Sequence, residues 1–353
     1  MVNRFYILLT QLIVGLIFLE IGLSLINFSI LKINENNFLP YTKIYLDERS
    51  KDYLYWHKNN VDVTLERGEH TFRFITNNYG HRATDDEINF NSSILFIGDS
   101  IIEGASLENH ETLPALIENN LKIPTINLGF GASNTVQQYY LLKDKYLPNF
   151  NSKLVVLGFC LNDIPQNTFR RYFDSKVGNW RFYDRVTVNL NNNAIFFSSN
   201  NIDVSMWQRV KDFVKQSQAI TLIYKLFIKA SNFNTSDQKS TDIHDESSWV
   251  NTEFFINKIR SFVTSKDSKF VVILYPTKKQ LEGKESLQDI IKLSKILEKN
   301  KIDYFDPSEA LLSHQKNTSN FSNLYHDNVH PNALGSKIIA DSFMSFLLNK
   351  DYF

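Results

Sequence analysis

A hydroxyl, an imidazole and a carboxylate suited to nucleophilic catalysis stand at two distant places in the sequence. Gly98-Asp99-Ser100 follows the apolar run Ile94 to Ile97, and Asp327-Asn328-Val329-His330-Pro331 precedes a helix-compatible stretch that begins near Asn332. A serine hydroxyl needs a base within hydrogen-bond reach, and that base needs a carboxylate on its other ring nitrogen to fix the tautomer and stabilise the imidazolium. The spacing of Asp327 and His330 lets both side chains converge from one tight loop. Two further blocks suit an oxyanion. Asn162, in Gly158-Phe159-Cys160-Leu161-Asn162-Asp163, supplies a side-chain amide donor. The stretch Asn127-Leu128-Gly129-Phe130-Gly131-Ala132-Ser133-Asn134 holds glycines that permit a tight turn presenting backbone N–H groups. Each signal has an everyday alternative: Gly-Asp-Ser is an ordinary turn, Asp327 can cap a surface turn, and Asn162 and Asp163 can cap the next segment.

These residues need a scaffold that gathers them. From Ser93 onward, short apolar runs alternate with amphipathic stretches, the pattern of buried parallel strands with crossover helices in an α/β domain. The predicted strands are Ile94 to Ile97, Thr125 to Leu128, Leu154 to Leu157, Phe270 to Leu274 and Ile302 to Phe305; the predicted helices lie near Leu113 to Leu121, Val136 to Lys145, Phe254 to Val263, Leu287 to Glu298 and Ala333 to Leu347. Three of the candidate blocks, around Ser100, Asn162 and Ala132, then fall at carboxyl ends of strands, where open α/β sheets bind ligands. A helix starting just past Ser100 also aims unpaired N–H groups at a developing oxyanion.

The third and fourth strands are too far apart for a plain crossover, so residues 164–249 read as a helical or irregular insertion. It holds an aromatic, basic stretch (Arg170, Arg171, Tyr172, Phe173, Trp180, Phe182, Tyr183), a helix around Met206 to Lys229 and a polar loop from Ser231 to Ser248. The aromatics could form a substrate platform, although packing of the insertion is the simpler account. Residues 34–82 form a β-rich lead-in, with alternation at Val61 to Leu65 and Thr71 to Ile75.

With these blocks in one chain order, the sequence resembles the SGNH hydrolases, also called GDSL esterases and lipases, of the membrane-anchored bacterial type, over about Asn77 to Leu347 apart from the insertion. The resemblance implies a three-layer α/β/α sandwich of flavodoxin-like topology over residues 83–350. It implies Ser100 as nucleophile, Asp327 and His330 as its partners, and Asn162 beside the Ser100 amide in the oxyanion hole. The family's oxyanion glycine falls by count on Ala132, with Gly131 one place early, so either amide could complete the hole. Thr76-Asn77-Asn78-Tyr79-Gly80-His81-Arg82 also looks like the stretch ahead of the nucleophile strand in such members, and reads as scaffold. The Gly-x-Ser-x-Gly elbow of α/β-hydrolases is absent, since Ile102 takes its last position.

Lysine plus arginine and aspartate plus glutamate both number 38, which gives no reason to expect a nucleic-acid partner. Cys160 is the only cysteine, so no intramolecular disulfide and no cysteine-based metal knuckle form. His57, His70, His81, His110, His244 and His314 show no metal-ligand spacing, and no cofactor is expected. His326 could compete with His330 as base, but the family register favours His330.

Residues 5–28 read as a transmembrane anchor. Between Phe5 and Ile26 stand 15 Leu, Ile, Val and Phe residues and one charge, Glu20. A central carboxylate costs ~3 kcal/mol, less than that many apolar residues at ~0.3–0.6 kcal/mol each contribute in the opposite direction. Arg4 precedes the segment and mixed charges follow, so the N-terminus is expected in the cytoplasm and the larger domain outside. A cleaved signal peptide is the alternative, with Gly22-Leu23-Ser24 a poor site for it. The expected activity is hydrolysis of an O-acyl ester on a surface glycan or another envelope substrate, lipid esters included. Transfer of the acyl group to a polysaccharide, or glycan binding without catalysis, are the other readings.

Overall fold

The computed structural model describes residues 39–67, 70–83, 93–146, 152–175, 179–198, 245–315 and 321–353, besides the isolated positions Gln11 and Gly15. Apart from those two positions, the expected anchor over 5–28 lies outside the described residues, as does the expected helix around Met206 to Lys229. Among the described residues no helix is long and apolar enough to cross a membrane.

Five strands make the central sheet: β5 (Ile94–Gly98), β6 (Thr125–Gly129), β7 (Leu154–Cys160), β11 (Lys269–Tyr275) and β12 (Asp303–Phe305). They run in the order β12-β11-β7-β5-β6, and every neighbouring pair is parallel. Such strands are covered on both sides, which is why β5 and β7 are apolar and buried along their whole length. Ile97, Leu128, Leu157 and Val272 point into one core, shared with helices Thr135–Tyr146, Glu246–Thr264 and Gln288–Lys299. Ile94, Phe96, Val156 and Ile273 point into the other, under Leu113–Leu121, Ser308–Gln315 and Ala333–Asn349. The result is an α/β/α sandwich with a parallel sheet. The order of its strands reverses between β5 and β7, so a crevice opens at their carboxyl ends.

The lead-in is a helix, Leu39–Ile44, and two antiparallel hairpins: β1 (Tyr45–Glu48) with β2 (Leu54–His57), and β3 (Asp62–Arg67) with β4 (His70–Ile75). It has no core of its own. Ile44, Tyr45, Tyr55, Trp56, Leu65, Phe72 and Phe74 join the first core of the sheet.

In the insertion, the described part departs from the expected helical or irregular reading. Between the helical residues at its two ends it is an antiparallel sheet of β8 (Phe169–Asp174), β9 (Asn179–Asn189) and β10 (Ala194–Ser198). Trp180 packs edge-on against Tyr45 of the lead-in, so this sheet completes the wall that the hairpins begin.

Candidate active site

Glycines at the carboxyl ends of three adjacent strands make room for the segment after Ser100. Gly98 stands opposite Gly129 and Gly158 in register, and a Cβ on Gly129 would fall on the Glu103 backbone while one on Gly158 would fall on the Ile102 side chain. The turn of helix Ser100–Glu103 therefore lies directly on the sheet. Asp99 caps it, its carboxylate accepting the Ile101 N–H at 2.9 Å, and Gly104 ends it in the left-handed region at φ 80°.

The imidazole arrives from the other end of the chain. Ser100 Oγ and His330 Nε2 lie 2.8 Å apart across a separation of 230 residues. His330 Nδ1 faces Asp327, 2.8 Å from Oδ2 and 3.0 Å from Oδ1. Asp327 Oδ1 also accepts the backbone N–H groups of Val329 and His330, each at 2.8 Å. Burial alone would push the Asp327 carboxyl up. The hydrogen bond and charge of His330, with those two amides, outweigh it and hold the group well below the usual carboxylate range. Asn328 anchors the loop, its carbonyl and side-chain oxygen accepting the N–H groups of Lys278 and Lys279 at 2.8 and 3.0 Å. The Tyr325 hydroxyl donates to Pro276 O at 3.0 Å, and Asn332 caps the final helix by accepting Gly335 N–H. The ring of the expected competitor, His326, instead packs edge-on against His70.

The two oxyanion candidates that spacing left open, Gly131 and Ala132, both line the cavity beside Ser100. Gly131 N–H donates to the Tyr45 hydroxyl at 3.0 Å and to Glu103 Oε1 at 3.1 Å, while its carbonyl accepts from Tyr55 at 2.8 Å. Its amide is thus already engaged by two acceptors. Ala132, with φ 60°, lines the same cavity as Ser100, His330 and the exposed Asn162. That cavity holds roughly 270 Å³, and Ile44, Leu65, Phe72 and Phe74 supply its apolar wall.

Behind Ser100 lies a buried network that motif reading missed. Glu103, one turn after Ser100, accepts from Tyr45, His57 and Gly131; His57 Nε2 stands 2.7 Å from its Oε1. The other His57 nitrogen faces the Gly80 carbonyl at 2.9 Å. Both partners of that ring are acceptors, so one proton must lie between His57 and Glu103. Burial would raise the Glu103 carboxyl, but the bond and charge of His57, helped by Tyr45 and Arg82, hold it below its ordinary value. Arg82 stacks on Phe74 with its guanidinium carbon 4.6 Å from the ring centre and donates to the carbonyls of Glu103, Gly104 and Leu107. Burial lowers its pKa to about 10, still charged at neutral pH. The stretch read as scaffold therefore grips the turn that carries Ser100. Arg82, shortly before the apolar strand β5, was the sequence signal for this.

Burial also raises Asp99 to about 6, against the pull of the Ile101 amide and His330. It pushes Asp163 up strongly, with the charge of Asp99 adding to the effect. The buried Cys160 thiol is likewise raised by burial, then by Asp99, and stays protonated and inert. Among the described residues no group of three or more His, Cys, Asp and Glu side chains is placed to hold a metal ion.

No family model and no curated protein matches the sequence. Solved structures similar to it include a lipolytic G-D-S-L family protein from Veillonella parvula, at 12% identity and TM-score 0.41, covering 72% of this chain and 97% of that one. An acetyl xylan esterase matches at 16% identity and TM-score 0.41, covering 72% and 99%. A lipase/acylhydrolase from Enterococcus faecalis matches at 13% identity and TM-score 0.38, covering 73% and 96%.

Proposed function

We propose that the chain is a serine ester hydrolase. The observation that carries this reading is the continuous hydrogen-bonded line from Ser100 Oγ through His330 to Asp327 at the mouth of an apolar-walled cavity. Ser100 Oγ attacks the ester carbonyl while His330 Nε2 takes its proton, and Asp327 holds the ring in the tautomer with the proton on Nδ1 and stabilises the imidazolium. The carbonyl oxygen becomes an oxyanion facing the amides of Ser100 and Ala132 and the Asn162 side chain. Collapse of the tetrahedral intermediate breaks the bond to the alcohol oxygen, which leaves with the proton held on His330. Water, deprotonated by the same nitrogen, then adds to the acyl-enzyme and releases the acid and Ser100.

The apolar run over residues 5–28 supports a single-pass anchor with the N-terminus cytoplasmic and the hydrolase domain outside. An O-acyl group on a surface glycan is the substrate that such a location favours. The test compares residues 34–353 with their Ser100→Ala variant on p-nitrophenyl acetate, alongside labelling by a fluorophosphonate probe. Loss of turnover with Ser100→Ala and an adduct on Ser100 are expected; equal rates in the two proteins, or no adduct, would refute the assignment.

A further inference from the structure

Two consecutive arginines of β8 differ sharply in how they are satisfied. Arg170 is buried and forms a two-pronged pair with Asp184, at 3.0 and 2.6 Å, and donates to Asp52 O at 3.0 Å. Arg171 points the other way, into the cavity that holds Ser100 and His330. It is half-buried, and among the described residues its guanidinium has one acceptor, Gln166 Oε1 at a long 3.4 Å, with its face on the Phe169 ring at 4.9 Å. Among the described residues no carboxylate comes within ion-pair distance of it. Of the carboxyls lining the cavity, Glu103 is engaged by Tyr45, His57 and Gly131, Asp99 by the Ile101 amide, and Glu66 sits at the exposed rim.

This arginine is not a loosely held surface residue. The fully buried amide of Gln137 grips its main chain on both sides, Oε1 accepting Arg171 N–H at 3.2 Å and Nε2 donating to Arg171 O at 2.9 Å. The same Nε2 donates to Tyr53 O at 3.0 Å, tying the lead-in to β8. A register shift between β8 and β9 falls at Arg170/Arg171, leaving Tyr183 as the extra residue opposite them. Bulges of this kind re-aim side chains beside active sites. A planar fork of five donors, half-buried in the cavity that also holds Ser100 and His330, is matched by a carboxylate that can accept two parallel bonds.

We infer that Arg171 is a specificity-determining residue that selects ester substrates carrying a carboxylate. This rests on the ester-hydrolase reading and deepens it: the substrate class becomes an acidic ester, with the anion on the acyl part, as in a hemisuccinate, or on the alcohol part, as in an acetylated uronic acid.

The test uses two matched pairs with the wild-type protein, Arg171→Gln and Arg171→Lys. For the acyl part the pair is p-nitrophenyl hydrogen succinate against p-nitrophenyl butyrate; for the alcohol part it is an O-acetyl methyl glucuronoside against the same O-acetyl methyl glucoside. The readout is the ratio of kcat/KM for the charged member to that for the neutral one. A charge-assisted pair predicts a ratio of about 10 to 100 in one of the two arms, collapsing in Arg171→Gln and partly kept in Arg171→Lys. The ratio should also shrink as sodium chloride is raised. The arm that responds identifies which part carries the anion. Wild-type ratios near one in both arms, or ratios unchanged by Arg171→Gln, overturn the inference while leaving the hydrolase reading intact. No turnover of any ester and no fluorophosphonate adduct overturn the hydrolase reading instead. Calorimetric binding of methyl glucuronoside, methyl glucoside and succinate to Ser100→Ala, with and without Arg171→Gln, then decides the role of Arg171: anion binding lost with Arg171→Gln supports it, and the absence of any difference overturns it.

Discussion

Replacing Asp327 with asparagine keeps the loop's shape and reverses what His330 can do. Asp327 Oδ1 is pinned by two N–H donors, those of Val329 and His330. In the variant the amide oxygen must take that place, because turning the NH₂ toward two N–H groups loses both bonds. At ~1–1.5 kcal/mol net for each bond, the flipped amide is disfavoured by ~2–3 kcal/mol and populated at roughly one part in a hundred. The NH₂ then faces His330 Nδ1, which must accept, so the ring proton moves to Nε2 and points at Ser100 Oγ. A nitrogen that donates to the serine cannot deprotonate it. With the negative charge behind the imidazolium lost as well, kcat should fall by ~10³–10⁴, close to the loss seen when the equivalent carboxylate of a serine-protease triad is amidated. Steady-state hydrolysis of p-nitrophenyl acetate measures this, and ¹⁵N shifts of the His330 ring report its tautomer. Asp327→Ala, which leaves the ring free to keep its proton on Nδ1, should be no less active than Asp327→Asn. If Asp327→Asn retained more than a tenth of the wild-type kcat, or its ring kept the proton on Nδ1, the tautomer argument would fail.

Glu103→Gln removes the charge that faces His57 in the buried network. Breaking one side of a buried pair costs ~3–5 kcal/mol, so urea unfolding should show a loss of that order, and an unchanged midpoint would contradict the pairing. Asp99 supplies a pH signature: its folded pKa of about 6 lies above its ordinary 3.8, so the stability it allows is complete below 3.8 and lost as pH rises through 6. That difference amounts to ~3 kcal/mol, and Asp99→Asn, which still caps the helix, should flatten the wild-type decline between pH 4 and 7. Gly129→Ala would drive a methyl into the Glu103 backbone, so a melting temperature and kcat both equal to wild type would show that the turn after Ser100 is less tightly seated than described.

Legibility in the sequence followed the distance over which each constraint acts. The strands β5 and β7 were readable because a run buried on both faces has to be continuously apolar, and residues such as Ser100 and Asn162 stood out where those runs stop. Tyr45 and His57 did not, because the group that gives them meaning, Glu103, is 58 and 46 residues away. Read alone, a tyrosine and a histidine among apolar neighbours are ordinary core residues. Counting from Asn127 could not decide between Gly131 and Ala132 for the same reason, since the Gly131 amide is claimed by Tyr45. The meander of β8, β9 and β10 escaped because it leaves Phe182, Tyr183, Phe196 and Phe197 exposed, which blurs the alternation that marks a half-buried strand.

These long-range contacts change what counts as the catalytic unit. The chain after Ser93 carries the serine, the imidazole and the carboxylates, so it would suffice if the site were only its motif residues. The turn holding Ala132 is braced through Gly131 by Tyr45 and Tyr55, and the helix of Ser100 is braced through Glu103 by His57 and Arg82. The wall facing Ser100 is built from Ile44, Leu65, Phe72 and Phe74. Every one of those bracing and wall residues precedes the first strand of the sheet. Removing them would strip cover from the first core and leave the buried Glu103 carboxylate without Tyr45, His57 and Arg82, and the broken buried pairing alone costs ~3–5 of the ~5–15 kcal/mol by which domains are stable. On the proposed reading, the lead-in supplies part of the substrate pocket and supports the reacting groups, and the sheet with its motifs does not act as a hydrolase without it.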